Sequence, residues 1–281
     1  MLAGPTFSQH EEIVWRSGRA TLASRLVAEE TAVALSYNGS THAVMMATPA
    51  NLEDFGIGFT LTESIVERAS EIRSVELIPS ELGVEVRMWL EGDPASALAA
   101  RRRAMSGPVG CGLCGIESLE QARRPPLRVA NGSAAFHATD LLAAMQALAP
   151  RQILNRQTRS VHAAAFWDPR SGIGLVREDV GRHNALDKLA GALLGEGLSA
   201  SGGAVLLTSR VSVEMVQKAA MIGAPVLIAV SAPTTLAIRT AEEAGITLLA
   251  IARDDGYGVF THPHRIVLPG NPPFSTERGV A

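Results

Sequence analysis

The second half of the chain alternates three apolar runs with two helical patterns, and this alternation constrains the fold more than any other feature. The apolar runs cover residues 204–208, 225–230 and 246–252, and the helical patterns cover 212–222 and 234–244. Continuous apolar strands with short connections are typical of a parallel sheet covered by helices. We therefore predict a βαβαβ unit whose chemistry gathers at the carboxyl ends of its strands, at residues 208–210, 231–233 and 253–256.

The first half predicts a smaller unit of the α+β class. Residues 31–46 predict a hairpin, because Asn38-Gly39 supplies the two positive-φ residues of a tight turn. Alternating apolar residues predict two further strands at 75–78 and 84–90. Residues 1–16 predict a loose lead-in.

Three helices are predicted outside the βαβαβ unit. Thr48 followed by Pro49 predicts the cap and first turn of a helix over residues 49–64. A short helix is predicted over 94–104 and an amphipathic one over 137–149.

The length of 281 residues allows two domains. Residues 123–126, two arginines followed by two prolines, have the composition of a linker. We therefore predict an N-terminal α+β domain over residues 1–130 and a second domain over 131–281.

Charge and hydropathy exclude several classes of protein. The net charge of −3 predicts no recruitment to nucleic acid or to an anionic membrane surface. Apolar runs stay well below the roughly 18 residues that span a bilayer, and the first residues do not resemble a signal peptide. Two free thiols suit a reducing compartment, so we expect a cytoplasmic protein.

Cys111 and Cys114, the only cysteines of the chain, form a C-x-x-C motif within the glycine-rich residues 107–115. Glycine lets the backbone approach a ligand closely, and arginines at 101–103 and 123–124 would lower a thiol pKa, so the motif predicts a reactive thiol. Three alternatives stay open: an exposed disulfide, a structural zinc site completed by histidines, and a thioredoxin-like dithiol.

A dense polar cluster covers residues 177–188. Within it we predict that Asp179, Arg182, His183 and Asn184 line a site, where arginine grips phosphate and asparagine either reads a base or fixes the loop. The alternative is a solvated, salt-bridged helix start.

Three further polar groups are candidates for binding. Residues 209–214 place Ser209 and Arg210 at a helix N-terminus suited to phosphate; the alternative is a plain Ser212 cap with a Glu214–Lys218 pair. Arg159 and His162 belong to another polar cluster, over residues 158–162, although a lone histidine is more often a core or strand-end residue than a ligand. Residues 258–265 could stack on and pair with a purine nucleotide, or form a simple turn before the last strand. The motifs of ordinary ATP and NAD sites are absent.

Four motifs in this order and spacing resemble the FdhD family of formate dehydrogenase accessory sulfurtransferases. They are the C-x-x-C loop at Cys111, the segments at 158–162 and 209–214, and the highly specific dodecapeptide at 177–188. The resemblance extends over about residues 20–270. It implies a three-layer domain of cytidine deaminase-like fold with a mostly parallel sheet at the C-terminus, in a homodimer, with no zinc and no other resident metal.

The resemblance also implies a function and partners. Such proteins accept sulfur from a cysteine desulfurase as a persulfide. They pass it to the molybdenum of the bis-molybdopterin guanine dinucleotide cofactor, a bound substrate, before that cofactor enters the catalytic subunit of formate dehydrogenase. Cys111 matches the persulfide cysteine and Cys114 the second cysteine. Alternatives are a cofactor-binding chaperone without sulfur transfer and a dithiol oxidoreductase.

The resemblance further places a cofactor-contacting segment at residues 260–265. Together with the polar clusters, the predicted cofactor-binding residues are therefore Phe260, Thr261, His262, Pro263, His264, Arg265, Arg182, His183, Asn184, Arg210, Ser209, Arg159 and His162.

Overall fold

A computed structural model describes residues 4–91, 126–130 and 135–270 of the chain. Within this part the strands are β1 Phe7–Arg16, β2 Arg19–Ala28, β3 Thr31–Tyr37, β4 Ser40–Ala47, β5 Ile72–Ser80, β6 Gly83–Leu90, β7 Phe136–His137, β8 His162–Asp168, β9 Gly172–Asp179, β10 Ala204–Leu207, β11 Val226–Ala229, β12 Thr247–Arg253, β13 Gly256–Val259 and β14 Ile266–Val267. The α-helices are α1 Leu52–Thr62, α2 Ala138–Leu148, α3 Ile153–Thr158, α4 Arg182–Gly195, α5 Val213–Met221 and α6 Thr235–Ala244.

The prediction of a loose lead-in is wrong, because the N-terminal residues form a long hairpin. Strands β1 and β2 pair over their whole length, from Phe7 opposite Ala28 to Arg16 opposite Arg19. No face of this hairpin is strongly buried, and the side chain of Trp15 is 70% exposed. The hairpin therefore lacks the alternation of buried and exposed residues by which a strand is recognised in a sequence.

A four-stranded sheet with the order β4-β3-β6-β5 follows the hairpin. The predicted β3–β4 turn is confirmed, with Asn38 at a φ of 48° and Gly39 at 80°. The strands predicted at 75–78 and 84–90 are also confirmed as parts of β5 and β6. Helix α1 covers one face of this sheet, where Phe55 packs into a core that includes Leu35 and Met88.

Helix α1 begins at Leu52, so the prediction of Thr48 as its cap is wrong. Asn51 occupies the cap position in a left-handed conformation and makes no side-chain cap bond. Thr48 is instead fully buried, and its hydroxyl accepts a hydrogen bond from the backbone N–H of Val180 at 3.1 Å. The residue that looked like a helix cap connects two distant parts of the chain.

The second sheet has six strands in the order β13-β12-β11-β10-β8-β9. Its centre is the predicted βαβαβ unit, with β10, β11 and β12 parallel. Strands β8, β9 and β13 are antiparallel to their neighbours, so the prediction of a mostly parallel sheet is wrong and the sheet is mixed. Short turns join β8 to β9 and β12 to β13, and a short turn can only return a strand antiparallel.

Helices cover both faces of this sheet and give three layers. Helices α4, α5 and α6 share one core with the strands, which includes Leu186, Met215 and Ala241. Helix α2, which confirms the prediction over 137–149, packs on the opposite face through Leu141 and Leu148. The carboxyl ends of β10 and β11 consequently open at one edge of the sheet, beside the start of α4.

Several predictions lie outside these observations. The helix at 94–104 and the linker at 123–125 fall outside the described residues. The division into domains at residue 130 stays a prediction. In the described part of the chain, no helix has the length and apolar character needed to cross a membrane.

Helices α1 and α4 pack in direct backbone contact through two glycines. A Cβ atom added at Gly58 would lie 1.7 Å from the carbonyl oxygen of Asp187, and one added at Gly191 would lie 2.0 Å from that of Asp54. Real Cβ atoms do not approach a carbonyl so closely, so only glycine fits at both positions. This contact fixes the first sheet, through α1, against the second.

Gly191→Ala should therefore destabilise the protein by about 1–3 kcal/mol, because the added methyl forces the two backbones apart. Gly195→Ala is the matched control in the same helix, since a Cβ there meets no atom within 4 Å. Urea unfolding followed by circular dichroism measures both. Equal stability of the two variants would contradict the proposed contact.

Candidate functional site

The sheet brings one group of the predicted binding residues to one of its edges. Thr208, directly after β10, donates its backbone N–H to Ala163 at 3.1 Å, and His162 pairs with Asp179 at the end of β9. The first turn of α4 and the loop into α5 lie at the same edge. We call the group formed by His162, Asp179, Arg182, His183, Ser209, Arg210 and Glu214 the carboxyl-edge cluster.

A buried ion pair lies beneath this cluster. Lys188 Nζ lies 2.6 Å from Asp179 Oδ2, and both side chains are fully buried. The backbone N–H of Thr48 donates to the same oxygen at 3.0 Å, and that of Gly181 donates to Oδ1 at 2.8 Å. Burial lowers the pKa of Lys188, although the charge of Asp179 opposes the shift. Asp179 thus has a structural role at the start of α4.

Asn184 fixes the loop before α4, which is one of the two roles left open by the sequence. Its side-chain amide donates to the backbone oxygen of Met46 at 2.9 Å and to Asp179 Oδ1 at 3.0 Å. The residue is only 3% exposed. Contact between Asn184 and a ligand stays a prediction.

A second ionic group, largely buried, joins three helices, and in it Lys218 pairs with other carboxylates than Glu214, the partner that the alternative interpretation of residues 209–214 gave it. Lys218 Nζ lies 2.8 Å from Asp187 Oδ1 and 2.6 Å from Glu63 Oε1, and it also donates to Thr62 at 3.0 Å. Burial raises the pKa of Asp187 to about 6 despite the positive charge of Lys218. Burial opposes the charge of Lys218, but the two carboxylates together raise its pKa.

His183 and Glu214 face each other across the cluster without a hydrogen bond. His183 Nε2 lies 4.0 Å from Glu214 Oε2, and the two side chains are 14% and 9% exposed. Burial, together with the charges of Arg182 and Lys218, lowers the pKa of His183 to about 3. The imidazole is therefore neutral at pH 7, and the pair is not a salt bridge.

Two arginines bring positive charge to the cluster, which also contains the carboxylates of Asp179 and Glu214. Arg182 opens α4 and Arg210 lies exposed before α5. Burial lowers the pKa of His162, and the charge of Arg182 acts in the same direction. The binding of an anion at this edge stays a prediction.

Ser209 and Arg159 differ from each other in accessibility. Ser209 is buried, and its hydroxyl donates to the backbone oxygen of Arg210 at 3.0 Å. Arg159 is exposed after α3, in a left-handed conformation with a φ of 58°. Their roles in binding stay predictions.

The segment from Phe260 to Arg265, which we call the amino-edge segment, lies at the opposite edge of the sheet. Phe260 donates its backbone N–H to Leu248 at 2.8 Å, and the hydroxyl of Thr247, the first residue of β12, donates to the His262 oxygen at 2.9 Å. Strand β12 runs from there to the carboxyl edge, a distance of roughly 20 Å. The predicted cofactor-binding residues therefore form two separate groups within one chain.

Two members of the amino-edge segment hold its backbone in place. Arg265 is 2% exposed and donates to the Gly245 oxygen at 2.8 Å, and burial lowers its pKa. Thr261 is 3% exposed and donates to the Ile246 oxygen at 2.6 Å.

The other four members are accessible to a ligand to different degrees. Phe260 is 37% exposed, Pro263 and His264 are also exposed, and His262 is half-buried. The rings of His262 and His264 meet edge to face at 5.7 Å.

Cys111 and Cys114 lie outside the described residues, as do the arginines at 101–103 and 123–124. Among the residues that the structure does describe, no three His, Cys, Asp or Glu side chains are grouped to hold a metal ion.

Comparison with known proteins identifies the family. Residues 28–267 match the model of the FdhD/NarQ family. The chain belongs to the FdhD/NarQ family. It is 55% identical over 253 residues to the sulfur carrier protein FdhD of Agrobacterium fabrum, covering 90% of this chain and 93% of that protein. It is 51% identical over 262 residues to the protein of that name from Cupriavidus necator, covering 93% and 91%.

A solved crystal structure of a similar protein supports the fold. The crystal structure of a proposed formate dehydrogenase accessory protein from Desulfotalea psychrophila matches this FdhD/NarQ protein with a TM-score of 0.72. The sequences are 26% identical, and the match covers 94% of this chain and 100% of the other.

The sequence did not reveal the roles of Thr48 and Glu63, which lie in the first half of the chain but contact the lysines of α4 and α5. The sequence of α4 contains one indication that such distant partners exist. Asp187 and Lys188 stand among residues 184–193 that are all buried, and charged side chains in a helix that is apolar on every side need ionic partners from elsewhere.

Lys188→Met should destabilise the FdhD/NarQ fold by about 3–5 kcal/mol, because it leaves the Asp179 carboxylate buried without its cation. The double variant Asp179→Asn with Lys188→Met should recover part of this loss. Chemical unfolding of the wild type, both single variants and the double variant measures the coupling. Additive effects would contradict a direct interaction.

His183→Gln should change the pH dependence of stability. The unfolded imidazole has a pKa near 6.5 and the folded one a pKa of about 3, so the unfolded state binds more protons between these values. As the pH falls to about 5, the wild type should lose about 2 kcal/mol of unfolding free energy relative to the variant. Unfolding at several pH values tests this, and parallel pH curves would contradict it.

Proposed function

We propose that this protein carries sulfur as a persulfide on Cys111 and delivers it for the maturation of formate dehydrogenase. The observation that carries the proposal is a C-x-x-C motif in a chain more than half identical to proteins named sulfur carrier protein FdhD. The general role in sulfur transfer rests on that similarity. The persulfide chemistry rests on the thiol and its predicted cationic surroundings.

The loading step needs only a nucleophilic thiolate and a persulfide donor. The Cys111 thiolate attacks the terminal sulfur of a persulfide on a cysteine desulfurase. A new S–S bond forms as the donor's S–S bond breaks, and the donor cysteine leaves as a thiolate. The outer sulfur and its proton move together, so no oxidant or reductant is required. Cys114 would assist or later receive the sulfur.

We propose the molybdenum bis-molybdopterin guanine dinucleotide cofactor as the acceptor substrate. The carboxyl-edge cluster offers Arg182 and Arg210 for its phosphates, with the N-terminus of α5 close by. At the other edge, the exposed ring of Phe260 and the imidazole of His264 offer surfaces on which a base can stack.

The remaining parts of the proposal follow from the family resemblance. They are a cytidine deaminase-like arrangement of the C-terminal domain, a homodimer, a cytoplasmic location, and the catalytic subunit of formate dehydrogenase as the recipient.

Incubation with a cysteine desulfurase and cysteine should add about 32 Da, the mass of one sulfur, to the intact protein in a form that a reductant removes. Intact-protein mass spectrometry should detect this gain in the wild type and not in Cys111→Ala. Cys111→Ala should also fail to support formate dehydrogenase activity.

Cys114→Ala is the matched control for the position of the sulfur, because it leaves Cys111 in the same glycine-rich loop. Sulfur uptake by Cys111→Ala but not by Cys114→Ala would place the persulfide on the other thiol. Loss of only two hydrogens on oxidation, without sulfur uptake, would favour a dithiol oxidoreductase.

A further inference from the structure

Strand β1 exposes one whole edge of its backbone. It forms a two-stranded sheet with β2, so among the residues that the structure describes no strand pairs with its outer edge. Strand β1 is 10 residues long, pairs with β2 without a bulge and contains neither proline nor lysine. Bulges, prolines and lysines are the usual devices that keep a long edge strand from pairing with another chain. The edge is therefore open to a further strand.

One face of the hairpin is apolar near its tip and lies in solvent. Ile13 and Trp15 of β1 are 74% and 70% exposed, and Leu22, opposite Ile13 on β2, is 74% exposed. Residues that lie opposite each other, or two apart in one strand, share a face of the sheet, so these three side chains form one patch. A contiguous apolar patch beside a free strand edge is typical of an interaction site.

The tip of the hairpin has little support from the rest of the described chain. The side chain of Arg25, in the half of β2 nearer the base, donates to the backbone oxygen of Thr158 in α3 at 3.4 Å. At the base itself, the backbone N–H of Glu29 donates to Thr6 at 2.9 Å. A two-stranded hairpin is marginally stable in water, and further strands that extend its apolar face stabilise it. The hairpin thus gains most from a partner that supplies strands.

The charges of β1 indicate that the partner is a second copy of β1. Glu12 and Arg16 form no salt bridge within the part of the chain that the structure describes. If two copies of β1 run antiparallel about a two-fold axis at Val14, each Glu12 lies opposite the partner's Arg16. The same register places each Ile13 opposite the partner's Trp15, an aliphatic–aromatic pair of the kind that stabilises sheets. An axis at Ile13 would form no Glu–Arg pair, and one at Glu12 would oppose two carboxylates.

The turn of the hairpin directs the appropriate backbone groups to the free edge. Ser17 and Gly18 have φ values of 48° and 80°, as in a two-residue turn of type I′. The residues that flank such a turn form a hydrogen-bonded pair, and bonded and non-bonded pairs alternate from there. The N–H and C=O groups of Ile13 and Trp15 consequently point away from β2. These two residues are opposite each other in the register about Val14, so their backbones can exchange both hydrogen bonds.

We infer that two copies of this chain associate through antiparallel pairing of their β1 strands about a two-fold axis at Val14, which joins the two hairpins into one four-stranded sheet. The inference rests on the homodimer included in the proposed function, and it assigns an interface to that dimer. Such an interface is isologous, because the same patch serves on both copies.

Reversal of one charge in the full-length chain tests the register. Glu12→Arg and Arg16→Glu each turn both ion pairs of the symmetric interface into like-charge pairs, so each should raise the dimer dissociation constant by roughly tenfold to a hundredfold. Sedimentation velocity over a series of concentrations measures this constant. Arg170→Glu, the matched control at an exposed position in the turn between β8 and β9, should dimerise as the wild type does.

A mixture of the two variants gives a sharper test. When Glu12→Arg pairs with Arg16→Glu, both opposite pairs again carry opposite charges, so the mixed dimer should form with about the affinity of the wild type. Positions 12 and 16 are roughly 13 Å apart along one strand, too far for contact within a chain, so recovery in the mixture reports only contact between chains. A fluorescent label on one variant distinguishes the mixed dimer in the same sedimentation experiment.

Three results would overturn the inference. They are dimers of either variant as tight as those of the wild type, a mixture that associates no better than its components, and a wild type that stays monomeric up to about 100 μM, a weak affinity for a specific complex. The last result would leave the free edge to a strand of a different protein. Sulfur uptake by Cys111, measured by mass on the same preparations, tests the carrier function separately, so the two failures are distinguishable.

Discussion

The carboxylate of Asp179 is the point on which the geometry of the carboxyl edge depends. It ends β9 and binds Lys188 of α4, the backbone of Thr48 ahead of α1, and the loop that leads into α4. A charge so deeply buried tolerates little displacement, because every lost partner leaves an uncompensated group. Arg182 and His183 follow it by only a few residues, so their backbone positions are set by this one interaction.

The first sheet therefore helps to position the site, through the contacts that its helix α1 makes. Helix α1 approaches α4 so closely that glycines are needed at the contact, and its last turn supplies Thr62, which bonds to Asp187 at 2.6 Å. Lys218 extends the same connection to α5, the helix that carries Glu214. The two helices that bear the polar atoms of the site are thus both tied to α1, and neither can shift without breaking buried ionic contacts.

What the sequence could predict depended on how local the cause was. The βαβαβ centre and the Asn38-Gly39 turn follow from apolar runs and from one dipeptide, so their prediction was confirmed. Lys188 and Lys218 would ordinarily be assigned to solvent; they are buried because Asp179, Asp187 and Glu63 reach them from other elements. Thr48 was misassigned for the same reason, and the β1–β2 hairpin because it has no strongly buried face. Long-range pairing, which decides these cases, leaves no periodic trace in a single sequence.

The separation of the carboxyl-edge cluster from the amino-edge segment has a consequence for molecular size. The two groups lie at opposite edges of the sheet, which the length of β12 sets roughly 20 Å apart along the strand direction. Within one chain, a rigid molecule shorter than this distance touches only one of them. The sheet thereby sets a minimum length for any ligand that one chain holds at both edges at once. A mononucleotide is shorter than that length.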